Sequence, residues 1–137
     1  MIYEEISRKI LKAFYTVYNK LGHGFLEKVY ENSLVIELMK LELGVQQQKD
    51  VPVYYEGTRV GDYAADLLVE DLVILELKAA ESMRTEHYAQ LTNYLRATDK
   101  ELGFVLNFGK EPAFKRIFFS NDRKAGGRNI LKPGIKI

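Results

Sequence analysis

The sequence predicts an α/β (α+β) domain, a central mixed β-sheet of about five strands flanked by helices in the order α-α-β-β-β-α-β-β. Three observations lead there. Helical periodicity fills the first forty or so residues, and three apolar runs broken by turn residues follow. One more helical stretch then leads into two further apolar runs, the pattern of a strand, a crossover helix and a parallel strand. With 137 residues, 47% of them hydrophobic and 28% charged, the chain suits one domain with a real core.

In the first helix Ile2, Ile6, Ile10, Phe14, Val17 and Leu21 recur at spacings of three and four, and Gly22-His23-Gly24 ends it. A second helix runs from about Leu26 to Leu41 on Val29, Leu34, Leu38 and Leu41, with Gly44 beyond its end. Val45 to Tyr55 reads as a strand that Pro52 pushes to a sheet edge. After the Glu56-Gly57 turn, Val60 to Val69 alternates Tyr63, Ala65, Leu67 and Val69 with Asp62, Ala64, Asp66 and Leu68. Leu72 to Ala79 completes an antiparallel meander. Arg84 to Thr98 is helical, with Tyr88, Leu91, Tyr94 and Leu95 at helical spacing, and it crosses over to a buried strand, Leu102 to Phe108. Phe114 to Phe119 is the last strand. Residues 1–120 are therefore expected to form the domain, and 121–137, which lack periodicity, a basic C-terminal tail.

The same sequence excludes several classes of function. No apolar run approaches the length of a membrane span, and the Met1-Ile2-Tyr3-Glu4-Glu5 start does not resemble a signal peptide, so a cytoplasmic location and no membrane partner are expected. The absence of cysteine rules out disulfides and thiolate metal sites. Net charge is +1, but residues 1–109 carry −5 and residues 110–137 carry +6. A basic end is compatible with a polyanionic partner, although such segments are more often simply solvated.

Asp66, Glu76 and Lys78 sit inside otherwise apolar strands. Burying an unpaired charge costs several kcal/mol, so these groups need ion partners or a metal. The plainest alternative is a core hairpin with a Glu76–Lys78 salt bridge. Strand alternation puts Glu76 and Lys78 on one face, opposite Leu75 and Leu77. Asp66 joins them only in one register. A two-residue turn at Glu70-Asp71 pairs residues whose numbers sum to 141 and turns Asp66 away, whereas a sum of 142 sets Asp66 opposite Glu76. The site chemistry therefore predicts an odd-length loop or a bulge.

Asp66 with Glu76-Leu77-Lys78 resembles the signature of the PD-(D/E)XK nuclease superfamily. Gly24-Phe25-Leu26-Glu27-Lys28-Val29-Tyr30, with Leu21-Gly22-His23 before it and Glu31-Asn32 after it, resembles the motif of the GxxExxY protein family, a group similar to those nucleases. Gln90-Leu91-Thr92-Asn93-Tyr94 resembles the Q-x-x-x-Y helix of related nuclease domains. Taken singly, Glu27 is an ordinary first-turn acid, Tyr30 an ordinary core residue, and the Gln90–Tyr94 stripe an ordinary solvated helix face. Together the three motifs span roughly residues 10 to 120. The resemblance implies a restriction-endonuclease-like core and a metal-dependent nuclease acting on DNA, or secondarily RNA. It gives a divalent metal to Glu27, Asp66 and Glu76, the attacking water or phosphate to Lys78, and positioning roles to Gln90 and Tyr94; independently, these oxygen ligands suit Mg2+ or Mn2+, and the Leu77 carbonyl between Glu76 and Lys78 is an extra ligand. At this size no added domain is expected to read sequence, so the substrate reader is either missing or supplied by a protein partner. The alternative is a catalytically silent nuclease fold that binds nucleic acid or a protein.

Overall fold

The computed structural model describes residues 2–124. Helices α1 (Ile2–Leu21) and α2 (Glu27–Lys40) precede strands β1 (Val45–Tyr55), β2 (Thr58–Val69) and β3 (Val73–Lys78). Helix α3 (Thr85–Ala97) then leads to β4 (Leu102–Phe108) and β5 (Pro112–Phe118). The five strands lie in the order β1-β2-β3-β4-β5. Only β3 and β4 are parallel, joined through α3; every other neighbour is antiparallel. The architecture is thus the expected mixed five-stranded sheet between helices, consistent with a restriction-endonuclease-like core. Pro52 lies in β1, an outer strand, where its missing N–H breaks no ladder on the free side.

α1 and α2 cover one face of the sheet. Ile10, Phe14, Tyr30, Leu34 and Leu38 pack there with Leu67, Leu75, Leu77, Phe104 and Phe108, all at most 2% exposed. Each such side chain contributes roughly 1.5–3 kcal/mol on burial. The other face carries α3, whose Leu91 and Leu95 meet Val51, Leu68, Ile74 and Val105. Gly103 sets how closely α3 can lie, because a Cβ there would come within 2.9 Å of Leu91.

The β2–β3 register is Leu67↔Leu75, Leu68↔Ile74 and Val69↔Val73, a constant sum of 142. Glu70 and Asp71 both take positive φ, and the Leu72 N–H closes the turn on the Val69 carbonyl at 2.9 Å. Val69 nevertheless pairs with Val73, so Leu72 is the extra residue that shifts the register as the site chemistry required.

One expectation is corrected. Simple alternation placed Tyr63 and Ala65 on the face of Leu67 and Val69, yet Tyr63 and Ala65 pack on the α3 side while Leu67 and Val69 pack on the α1/α2 side. The strand changes face at Asp66. Its neighbour across β1 is Gln48, where pairing lapses between Gln47↔Leu67 and Lys49↔Ala65, and Gln48 itself has φ +50°. A left-handed residue inside a strand rotates the backbone locally, and both strands twist there.

Residues 121–124 of the expected tail form a 3-10 turn, Asn121–Arg123, followed by Lys124. Lys124 is buried, its ammonium donating to the carbonyls of Thr98 and Lys100. Residues 125–137 lie outside the described residues.

Candidate active site at the open edge of β3

The β2–β3 ladder ends at Leu67↔Leu75, although β2 continues back to Thr58 against β1, and β3 continues to Lys78 against β4. The sheet therefore opens along one edge of β3 beyond Leu75. A residue's N–H and C=O leave a strand on the same side, so Leu75, Leu77 and Ala79 all address this edge. Their peptide groups need partners, since orphaned buried N–H groups are rare.

Carboxylates supply them. The Leu77 N–H donates to Asp66 Oδ2 at 2.8 Å, the Asp66 N–H donates to Glu76 Oε2 at 3.2 Å, and the Ala79 N–H donates to Glu27 Oε2 at 3.3 Å. Asp66 and Glu76 are thus cross-linked, side chain to backbone, at the apex of the opening. Glu27, from the first turn of α2, lands one two-residue step further along, roughly 7 Å by strand rise. Among the described residues, no group of three or more His, Cys, Asp or Glu side chains lies close enough to hold an ion. Asp66 and Glu76 are adjacent and Glu27 stands apart from them.

Burial first, and the Asp66 charge second, push the Glu76 carboxyl up to about 7. Hydrogen bonds from the Tyr63 hydroxyl and the Asp66 N–H, and the Lys78 ammonium, pull the other way and do not overcome this. Lys78 is half-buried and acts on Glu76 through space. It makes no ion pair among the described residues, so the Glu76–Lys78 salt bridge of the plain hairpin reading does not form.

The apex therefore holds two carboxyl groups that resist being ionised together. Two carboxylates with the Leu77 carbonyl facing the same edge make an all-oxygen donor set, and Mg2+ commonly uses one or two carboxylates and keeps several waters. The chemistry of these donors fits a hard divalent cation at Asp66 and Glu76.

On the α3 side, Tyr94 stacks on Tyr63, with ring centroids 3.7 Å apart and planes 11° from parallel. Tyr63 is the residue whose hydroxyl reaches Glu76, and burial, then the Glu76 charge, raises its own pKa. Tyr94 thus touches the site through Tyr63. Gln90, one turn earlier on the same stripe, is exposed, and its side chain makes no hydrogen bond among the described residues.

Five residues at the site, Glu31, Gln47, Gln48, Tyr63 and Asn107, were given no role by the sequence. Glu31, 5% exposed, accepts from the amides of Gln47 at 2.8 Å and Gln48 at 3.1 Å, and the Gln48 amide also reaches Asp66 Oδ1 at 3.4 Å. Consecutive strand residues normally point to opposite faces; the left-handed backbone at Gln48 lets both amides converge on Glu31. Tyr63 was read only as a strand residue. Asn107, paired with Lys78 across the ladder, clamps Ala80 by accepting from its N–H at 2.9 Å and donating to its carbonyl at 3.0 Å. That clamp fixes where the chain leaves β3. Glu31 follows Tyr30 directly and shares a helix face with Glu27, which was the one available sign of its role.

The sequence matches the family model of the PD-(D/E)XK nuclease superfamily over residues 4–117. No curated protein and no solved structure matches it.

Proposed function

The chain belongs to the PD-(D/E)XK nuclease superfamily, and from that membership we propose that it is a metal-dependent nuclease that hydrolyses phosphodiester bonds in DNA, or secondarily RNA. The observation that carries this reading is the register that sets Asp66 beside Glu76 at the open edge, with Lys78 on the same face of β3 and no ion partner among the described residues. Mg2+ or Mn2+ bound there supplies the positive charge that neutralises a phosphate and acidifies water. Asp66, Glu76 and the Leu77 carbonyl would hold it, with Glu27 at the next position along the edge adding its charge to the site. Lys78 donates to the attacked phosphate or orients the water. Tyr94 keeps Tyr63 against Glu76, and Gln90 meets the substrate at the rim.

The closer assignment to the GxxExxY group rests on Gly24, Glu27 and Tyr30 and belongs to this proposal. So do a nuclease unit of residues 1–120 with a basic segment over 121–137, a cytoplasmic setting, and a protein partner that supplies sequence specificity. Among the described residues no helix is long and apolar enough to cross a membrane.

A second reading has its own support. Because no three acids gather among the described residues, a nuclease fold that binds nucleic acid or a protein without turnover accounts for the same architecture. Cleavage of mixed single- and double-stranded DNA and RNA with Mg2+ or Mn2+, run beside Glu76→Ala, separates the two. Divalent-dependent cleavage lost in Glu76→Ala is the expected result. Nucleic-acid binding without cleavage under either ion overturns the enzymatic reading and leaves the second.

A further inference from the structure

The loop between α1 and α2 is held in an unusual way. Gly22 and Gly24 take φ of +69° and +109°, values that favour glycine. The Tyr30 hydroxyl donates to the Gly22 carbonyl at 2.7 Å and accepts from the Phe25 N–H at 3.2 Å. The Phe25 ring meets the Tyr30 ring edge-on at 6.0 Å, and Tyr30 in turn stacks on Phe108 at 4.2 Å. Phe25 is nevertheless 46% exposed. The structure therefore anchors an aromatic ring to the core through a neighbour and leaves it open to solvent.

That ring borders a hollow of about 270 Å³ lined by His23, Gly24, Ala79, Glu81, Gly109 and Lys110 among others. The hollow begins one residue past Lys78, at the Ala79 whose N–H binds Glu27. Ala80, which also lines it, is held by the Asn107 clamp. An exposed aromatic ring that shares a hollow with a lysine and a histidine offers the pairing that single-stranded nucleic acids use, with the base on the ring and the phosphate on the cation. Bases inside a duplex have no free face to offer. Glu81 repels phosphate from its own rim, which leaves the Lys110 side for the backbone.

We propose that this hollow is a base-stacking subsite in which Phe25 takes an unpaired nucleobase and Lys110 the adjoining phosphate, so that the substrate is single-stranded or frayed nucleic acid. The inference rests on the nuclease reading and adds the substrate class to it. On this account the Gly24–Tyr30 motif builds the platform as well as delivering Glu27.

The test is fluorescence anisotropy of the full chain with one oligonucleotide sequence, offered single-stranded and as a blunt duplex, in Ca2+ without Mg2+ or Mn2+. Phe25→Ala is expected to weaken single-strand binding by roughly 5- to 150-fold while changing duplex binding less than twofold. Phe25→Trp should retain single-strand affinity, and because the chain has no tryptophan of its own, the indole emission of that variant reports stacking by quenching. Lys110→Ala should weaken binding and flatten its salt dependence. Unchanged single-strand affinity in Phe25→Ala overturns the subsite and marks the ring, beside the exposed Leu26, as a protein-docking surface. Equal losses on single strand and duplex, or unquenched indole emission from Phe25→Trp with intact binding, also overturn it. If the wild type binds neither oligonucleotide, the nuclease reading falls with it; if the wild type cleaves while Phe25→Ala binds normally, only the subsite falls.

Discussion

Along one edge, β3 keeps a continuous parallel ladder with β4 from Val73↔Leu102 to Lys78↔Asn107. Along the other, its ladder with β2 stops after Leu67↔Leu75, and the next peptide groups are met by Asp66 and Glu27. The stretch from Val73 to Ala79 thus serves two purposes. Backbone pairing on the β4 side fixes the strand, with Leu106 and Phe104 buried beneath it. On the β2 side, carboxylates stand where strand carbonyls would be, and they leave a charged gap. A site can be built into the middle of a sheet without weakening it throughout, provided only one edge is opened.

Substitutions should separate the two edges. Asp66→Asn removes charge from the open edge and is expected to lower divalent-dependent cleavage on the order of 10³-fold. Its urea midpoint should barely fall, because the repulsion that Asp66 exerts on Glu76 is relieved. A large loss of stability would mean that the open edge also holds the fold together. Leu106→Ala, on the closed edge, is expected to cost about 2–5 kcal/mol in urea unfolding while Mn2+ affinity measured by calorimetry stays unchanged.

The pH dependence of stability follows from Glu76. Its carboxyl sits at about 7 in the folded chain against an ordinary 4.5, so between those values the folded state holds a proton that the unfolded state has released. Stability is therefore expected to fall as pH rises from about 4.5 to 7, by roughly 3 kcal/mol in all, and then to level off. Glu76→Gln should flatten this limb, and Mn2+ added at pH 8 should raise the melting temperature of the wild type by favouring the ionised carboxylate. A wild-type melting curve independent of pH over that window would contradict the burial assigned to Glu76.

The smallest effect concerns Gln48. Gln48→Gly and Gln48→Ala both remove the amide between Glu31 and Asp66, and each should weaken Mn2+ binding about 10-fold. Only glycine accepts the left-handed backbone freely, so Gln48→Gly should be more stable than Gln48→Ala by about 1 kcal/mol. Equal stabilities would show that the alanine variant relaxes out of that conformation.

Helical and strand periodicity placed the elements well, because α1 and β4 bury residues at the spacing their backbones dictate. The register at the site was also within reach, since only a sum of 142 lets Asp66 approach Glu76. The change of face at Asp66 was not. Nothing in Gln46-Gln47-Gln48 marks the third glutamine as left-handed, and without that rotation Tyr63 falls on the wrong side of the sheet and its contact with Glu76 is invisible. Glu31 was missed for a related reason: its partners Gln47 and Gln48 come from a strand whose alternation forbids both from facing it until the backbone turns. The landing of Glu27 on the Ala79 N–H depends on how far β2 splays from β3, a tertiary property with no local signal.

Pro52 in β1 has a consequence for how this molecule behaves in a crowd of its own kind. β1 and β5 are the outermost strands, and among the described residues neither pairs with another strand on its outer side; such borders recruit matching strands from other chains into fibres and precipitates. β1 interrupts its border with Pro52 and surrounds it with Gln46, Lys49 and Asp50; β5 starts on Pro112 and exposes Lys115 and Arg116. A strand arriving from another copy meets a proline and exposed charged side chains at either border. The flanks of the sheet thereby disfavour strand addition, and the break within it, already filled by acids, offers a poor template for it.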